Sequence, residues 1–189
     1  MEEVEVKFLN IDPVEIENKL NSLGAKNIFN RLYRRRLFDN PDQKLNSRGA
    51  YVILRDEGDK ITLCFKQRLG IGQNGENDKG MEEIEVIVSD FENTANIFLN
   101  IGFIEKFYEE NRRVRFELQD LEFDIDYWPL INPYLEIEAK SWENVDKAVN
   151  LLGLNKTDQK IFTTNQVYKL AGIQELDYKI LTFEKQVKR

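Results

Sequence analysis

Glu3-Val4-Glu5-Val6-Lys7, followed by Phe8, alternates charged and apolar residues. Successive side chains of a strand point to opposite faces, so Val4, Val6 and Phe8 share one face and Glu3, Glu5 and Lys7 the other. The apolar row can pack on a core. Two neighbouring carboxylates repel unless a cation, a basic partner or water lies between them. Alone, such a strand fits a solvated sheet edge. The pattern returns, however, at Glu83-Ile84-Glu85 and at Glu136-Ile137-Glu138, and each copy runs into a helix that stops at a glycine: Gly24, Gly102 and Gly153. This is a weak internal repeat of strand, helix and glycine stop.

The remaining strands carry the complementary sign at the same period. Residues 28–39 read as a strand with Arg31, Arg34, Arg35 and Arg36, of which Arg34 and Arg36 alternate. Ala50 to Asp56 and Lys60 to Gln67 form a hairpin around Glu57-Gly58-Asp59, contributing Arg55 and Lys66. Residues 68–80, glycine-rich and polar, read as a long hairpin loop before a strand from Glu82 to Val88. Their Gly-x-Gly lacks the Gly-Lys-Ser/Thr and the apolar helix of a nucleotide loop. Strands 107–118 and 120–127 carry Arg113 with Arg115 and Asp124 with Asp126, and Tyr134 to Ala139 closes the series.

Four helices complete the pattern. Asp12 and Pro13 start the first, with Val14, Ile16, Leu20 and Leu23 as its buried face. The second spans about Phe91 to Asn100, the third follows Ser141, and a short one covers Thr164 to Ala171 ahead of a charged tail containing Lys179, Lys185, Lys188 and Arg189. Charged-apolar alternation on so many strands fits two arrangements. One is an open antiparallel sheet with water on one side, where ion pairs contribute little. The other is a barrel whose polar lumen gathers acids and bases into a cavity suited to a polyanion bridged by divalent cations.

Bulk properties narrow the chemistry. The 189 residues fit one domain on length, with 41% hydrophobic residues and no apolar run long enough to span a bilayer. The start, Met-Glu-Glu, lacks the features of a signal peptide, which places the chain in the cytoplasm. There is no histidine, which excludes Ser- or Cys-His hydrolase chemistry and the usual zinc ligand. Cys64 is the single cysteine, so neither an internal disulfide nor a thiolate cluster can form. A metal would be held by oxygen, which favours magnesium, manganese or calcium. A net charge of -7 argues against a coat for nucleic acid.

In order along the chain, Glu3-x-Glu5-x-Lys7, Arg55, Thr62 to Lys66, Glu82-Glu83-Ile84-Glu85, Asn111-Arg112-Arg113, and Asp126 with Tyr134-Leu135-Glu136-Ile137-Glu138 resemble the motifs of the CYTH superfamily, the triphosphate tunnel metalloenzymes. The resemblance implies an α+β fold: an eight-stranded antiparallel β-barrel, the triphosphate tunnel, with helices packed outside. It also implies a single domain over 1–189, its core about 1–153 and a C-terminal helix and tail at 154–189. Glu3, Glu5, Asp126, Glu136 and Glu138 would hold Mg2+ or Mn2+. Lys7, Arg55, Lys66 and Arg113 would cradle the triphosphate, and Lys7, Glu83 and Glu85 are the candidate catalytic residues.

Two positions depart from the family pattern. Ile53 stands where the first arginine of Leu-Arg-x-Arg is expected, and Asn111 where the lysine of Lys-x-Arg is expected; each removes a positive charge. Arg34, Arg36 and Arg115 are the candidates to compensate. The reading that follows is a metal-dependent triphosphatase acting on ATP, tripolyphosphate or thiamine triphosphate. The alternatives are a class IV adenylate cyclase and a module that binds polyphosphate or nucleotide without turnover. The expected partner is a small-molecule triphosphate, with no nucleic acid and no membrane, and a homodimer is an option.

Overall fold

A computed structural model describes residues 4–68 and 81–189. Glu3 and most of the expected loop at 68–80 lie outside them. In chain order the elements are β1 (Val4–Phe8), α1 (Pro13–Ser22), β2 (Lys26–Asp39), α2 (Lys44–Ser47), β3 (Ala50–Asp56), β4 (Ile61–Arg68), β5 (Met81–Val88), α3 (Phe91–Asn100), β6 (Ile104–Leu118), β7 (Leu121–Tyr127), β8 (Tyr134–Ala139), α4 (Trp142–Leu151), α5 (Thr164–Leu170), β9 (Tyr178–Leu181) and β10 (Gln186–Lys188). Among the described residues no helix is long and apolar enough to cross a membrane.

The fold is an antiparallel sheet of eight strands with helices packed on its apolar face, as the sequence implies. The hydrogen-bonded order ends on β1 and β5, and ring closure of a barrel is not among the ladders of the described residues. The chain divides into two compact units. The first comprises Met1–Leu32 and Asn111–Leu176, the second Tyr33–Glu110 and Asp177–Arg189, and β2 and β6 run through both.

In the first unit the order is β1-β8-β7-β6-β2, with β1, β8, β7 and β6 antiparallel in turn. One face of these strands is apolar: Val6, Phe8, Val114, Phe116, Phe123, Ile125, Leu135 and Ile137 are all buried against α1 and α4. Each such large side chain contributes roughly 1.5–3 kcal/mol when fully buried. Helix α1 starts where Asp12 accepts hydrogen bonds from the backbone N–H of Val14 and Glu15, and α4 where the Ser141 hydroxyl accepts one from Asn144. Ile16 and Leu20 form the buried stripe of α1, whereas Val14, expected there too, is exposed. Two positions before Ile16 amount to about 200° around a helix, which carries Val14 to the opposite side. The helices of the three repeats stop as expected, with a left-handed φ of 78° at Gly24 and 102° at Gly102.

In the second unit the order is β6-β2-β3-β4-β5, with β2, β3, β4 and β5 antiparallel in turn. Helix α3 lays Phe91, Ala95 and Phe98 on Phe38, Val52, Leu54, Leu63 and Phe65. The charged C-terminal tail forms a two-stranded hairpin in which β9 pairs in parallel with β6 through Tyr108–Ile180 and Glu109–Leu181, and Lys179, Lys185, Lys188 and Arg189 are exposed. Leu181 is buried there, and the Thr182 and Lys185 backbones close the turn. Strands of four and three residues are too short to show a period in sequence.

Candidate functional site

Cα partners in an antiparallel ladder share a face, so the register decides which charges meet. In the first unit three rows cross the face opposite the helices. Lys7, Glu136, Asp124 and Arg115 form one; Tyr134, Asp126 and Arg113 a second; Glu5, Glu138, Glu122 and Glu117 a third. The structure therefore brings together Glu5, Lys7, Arg113, Arg115, Asp126, Glu136 and Glu138 of the expected set. It adds Asp124, Glu122 and Tyr134.

This face is buried and densely paired. Lys7 is 4% exposed, Asp124 1%, Asp126 0% and Glu136 6%. The Lys7 ammonium donates to Glu5 and sits 2.9 Å from Glu136. Arg113 forks onto Asp126 at 2.8 and 2.6 Å, reaches Asp124 at 2.7 Å and touches Glu136 at 3.2 Å. Arg115 forks onto Asp124 at 2.7 and 2.6 Å and reaches Glu122 at 2.5 Å. Such bidentate pairs fix both position and charge. Burial works against the Arg113 charge, yet Asp126, Glu136 and Asp124 together hold its pKa above the ordinary value. Burial also raises the Asp126 carboxyl, against the opposing pull of Arg113. Asn111, in place of the family lysine, is buried and donates to Asp126 at 3.4 Å.

Carboxylate oxygens of Asp124, Glu136 and Glu138 lie within 4.8 Å of one another, a hard oxygen set that fits a divalent cation such as magnesium or manganese. Asp124 was legible in the alternation that ends in Asp126 but was not among the expected ligands. Burial of Asp124 against two arginines is what the sequence does not display.

The second unit carries its own charged face. Lys66 meets Glu83 across β4 and β5 at 3.0 Å, and Arg55 reaches Glu85 at 2.8 Å. Cys64, between them in sequence, donates its thiol to Glu83 at 3.2 Å. Hydrogen bonds from Lys66 and then Cys64 lower the Glu83 pKa, while burial and that same bond push the Cys64 thiol up to about 11. Cys64, Glu83 and Glu85 also bring ligand atoms within 4.8 Å, with Lys66 and Arg55 already paired to the two carboxylates. Ile53 stands between Leu37 and Cys64 in one row, so an apolar band interrupts the charges where the family pattern has an arginine.

The placement of Arg34 and Arg36 differs from expectation. Their register partners are Asp56 and Leu54, on the α3-bearing face. Arg34 stacks 4.7 Å over the Phe91 ring and bonds Asp56 at 2.5 Å. Arg36 bonds Glu92 of α3 at 2.7 Å and Glu105 at 3.1 Å. The arginine that shares a face with Arg55 is Arg35, its register partner.

The sequence profile of the CYTH domain family matches residues 1–169. A curated relative from Methanocaldococcus jannaschii, named "putative adenylate cyclase", is 27% identical over 152 residues, covering 80% of this chain and 84% of the relative. Among solved structures, a protein of the same name from Vibrio parahaemolyticus superposes with a TM-score of 0.63 at 14% identity, over 88% of this chain and 97% of that one. A Hippeastrum protein described as a "putative adenylyl cyclase" with a dominant triphosphatase activity gives 0.55 at 15% identity, over 93% and 98%. At these identities the structural matches speak to the fold.

Proposed function

Since the chain belongs to the CYTH domain family, we propose that it is a divalent-metal-dependent enzyme that hydrolyses small-molecule triphosphates such as tripolyphosphate, ATP or thiamine triphosphate. The observation that carries this reading is the buried first-unit face, where Asp124, Glu136 and Glu138 converge beside Lys7, Arg113 and Arg115. Those three carboxylates would hold magnesium or manganese, with Glu5, Asp126 and the N-terminal Glu3 as further acidic donors. When bound, the metal neutralises charge on phosphoryl oxygens and makes water more acidic.

The chain's own residues supply the rest. Lys7, Arg113 and Arg115 offer N–H donors to the phosphate oxygens, where charge accumulates as the P–O bond breaks. Asp126, behind Arg113, fixes the guanidinium plane by its two hydrogen bonds. Glu5, 47% exposed and bonded to Lys7, is the carboxylate with solvent access that can accept the proton of the attacking water in a chain without histidine. In the second unit, considered by itself, Arg55 and Lys66 are candidate donors to phosphate oxygens, and Glu85 and Glu83 set their orientation.

The names of the relatives favour one second reading, a class IV adenylate cyclase in which the ribose 3′-hydroxyl replaces water and pyrophosphate leaves. Purified protein incubated with ATP, tripolyphosphate and thiamine triphosphate under magnesium and under manganese separates the two by chromatography. Orthophosphate release is the expected outcome. Cyclic AMP with pyrophosphate establishes the cyclase, and the absence of any product overturns both.

A further inference from the structure

Two polar atoms of the second unit's charged face are buried without a hydrogen-bond partner: the Thr62 hydroxyl and Arg55 Nε. Thr62 is 0% exposed. A buried hydroxyl left unpaired costs free energy, so its retention at a position where valine fits the same shape needs an explanation. Thr62 and Arg55 are register partners on β4 and β3, so their side chains emerge next to each other. On the other side of Arg55 in the same row is Arg35. Arg35 lies 3.7 Å from Glu109 and stacks on Tyr33. Nη2 of Arg55 is held by Glu85 at 2.8 Å, while Nε stands 3.7 Å from the Glu57 carboxylate, beyond hydrogen-bond reach. One row thus places a hydroxyl donor, an unused guanidinium N–H and a second guanidinium side by side, adjacent to the apolar band of Leu37, Ile53 and Cys64.

We infer that Arg35, Arg55 and Thr62 form an oxyanion subsite that takes one phosphoryl group of the ligand, with Arg35 supplying a positive charge in the row next to Ile53 and Thr62 a neutral hydrogen-bond donor. The assignment rests on the proposed action on triphosphates. Arg34 and Arg36 have no part in it, because the strand's alternation sends them to the α3 face.

The test titrates the full chain, under magnesium, with a nitrogen-bridged, hydrolysis-resistant analogue of tripolyphosphate by calorimetry, and melts the same proteins without ligand. Thr62→Val is expected to weaken analogue binding roughly tenfold, the scale of one hydrogen bond to a charged group. The same change is expected to raise the melting temperature of the ligand-free protein by about 2–4 °C, because a buried unpaired hydroxyl is removed. A residue that merely supports the fold would not move these two readings in opposite directions. Arg35→Ala is expected to weaken binding at least as much, with Arg35→Lys recovering part of it, and Arg34→Ala to leave affinity unchanged. Wild-type protein that binds while Thr62→Val and Arg35→Ala bind equally well overturns the subsite alone. Wild-type protein that fails to bind the analogue overturns the triphosphate reading and the subsite with it.

Discussion

The two charged faces of this chain are built from the same alternation and reach different physical states. In the first unit Lys7, Asp124, Asp126 and Glu136 are almost wholly removed from water, and Arg113 alone touches three carboxylates. In the second, the side chains of Glu83 and Glu85 remain 41% and 32% exposed, an apolar row separates the cations, and polar atoms go unpaired. Excess acid packed against a few bases is costly unless further positive charge arrives, which is the basis for proposing a metal at the first face. The second face, poorer in acid and holding unused donors, is the one to which the proposed anion subsite is assigned. Alternation in sequence sets where charges can stand. Burial and neighbours decide what they can do.

The largest expected effect tests the first face. Asp124→Asn or Glu136→Gln should lower phosphate release by about 100-fold or more, and EDTA should abolish it until magnesium or manganese is restored. Glu85→Gln on the second face should cost less than about tenfold. Equal losses at Glu136 and Glu85, or turnover that survives EDTA, would break the comparison and the metal assignment together.

How far the sequence reached follows the same line. The first face was legible because its strands alternate cleanly: Glu5 and Lys7, Arg113 and Arg115, Asp126, then Glu136 and Glu138 each stand opposite an unbroken apolar row. Asp124 lay in that alternation, but its burial depends on the long-range pairing of β6, β7 and β8. On β2 three arginines stand in succession, and both Leu37 and Phe38 are apolar, so parity alone does not say which arginines share the face of Arg55. The structure decides it through Phe38, fully buried under α3, which takes Arg34 and Arg36 to its own side and leaves Arg35 on the other. Thr62 was legible only as the start of the Thr62 to Lys66 motif, because an unpaired hydroxyl is a property of surroundings, not of spacing.

A second experiment sharpens the contrast as stability. Arg113→Met leaves Asp126 and Asp124 buried with less compensation, and removing one partner of a buried pair costs about 3–5 kcal/mol. Urea unfolding of the metal-free protein should show a loss in that range at neutral pH. The sign with pH follows: burial raises the Asp126 carboxyl and loss of Arg113 removes the opposing pull, so the folded state binds more protons than the unfolded one and the deficit shrinks as pH falls. Arg55→Met, whose partner Glu85 has a side chain 32% exposed, should cost no more than about 1 kcal/mol. Similar losses in the two variants would show that the faces do not differ in the way their burial indicates.

The smallest expected effect concerns Cys64, which sits on the charged face of the second unit beside Glu83. Burial and the thiol's hydrogen bond to Glu83 place its pKa at about 11, so only a trace is thiolate at neutral pH. Alkylation by iodoacetamide should therefore be slow at pH 7.5 and rise about tenfold per pH unit up to pH 10. Glu83→Gln removes a negative charge that opposes ionisation, so it should lower the thiol pKa and speed the reaction at pH 8, while Lys66→Met, which removes a favourable charge, should slow it. A rate that is fast at pH 7.5, or that ignores both substitutions, would mean that the local charges do not govern Cys64. The anion-directed character of the second face would then have to rest on Arg35, Arg55 and Thr62 without help from the surrounding pairs.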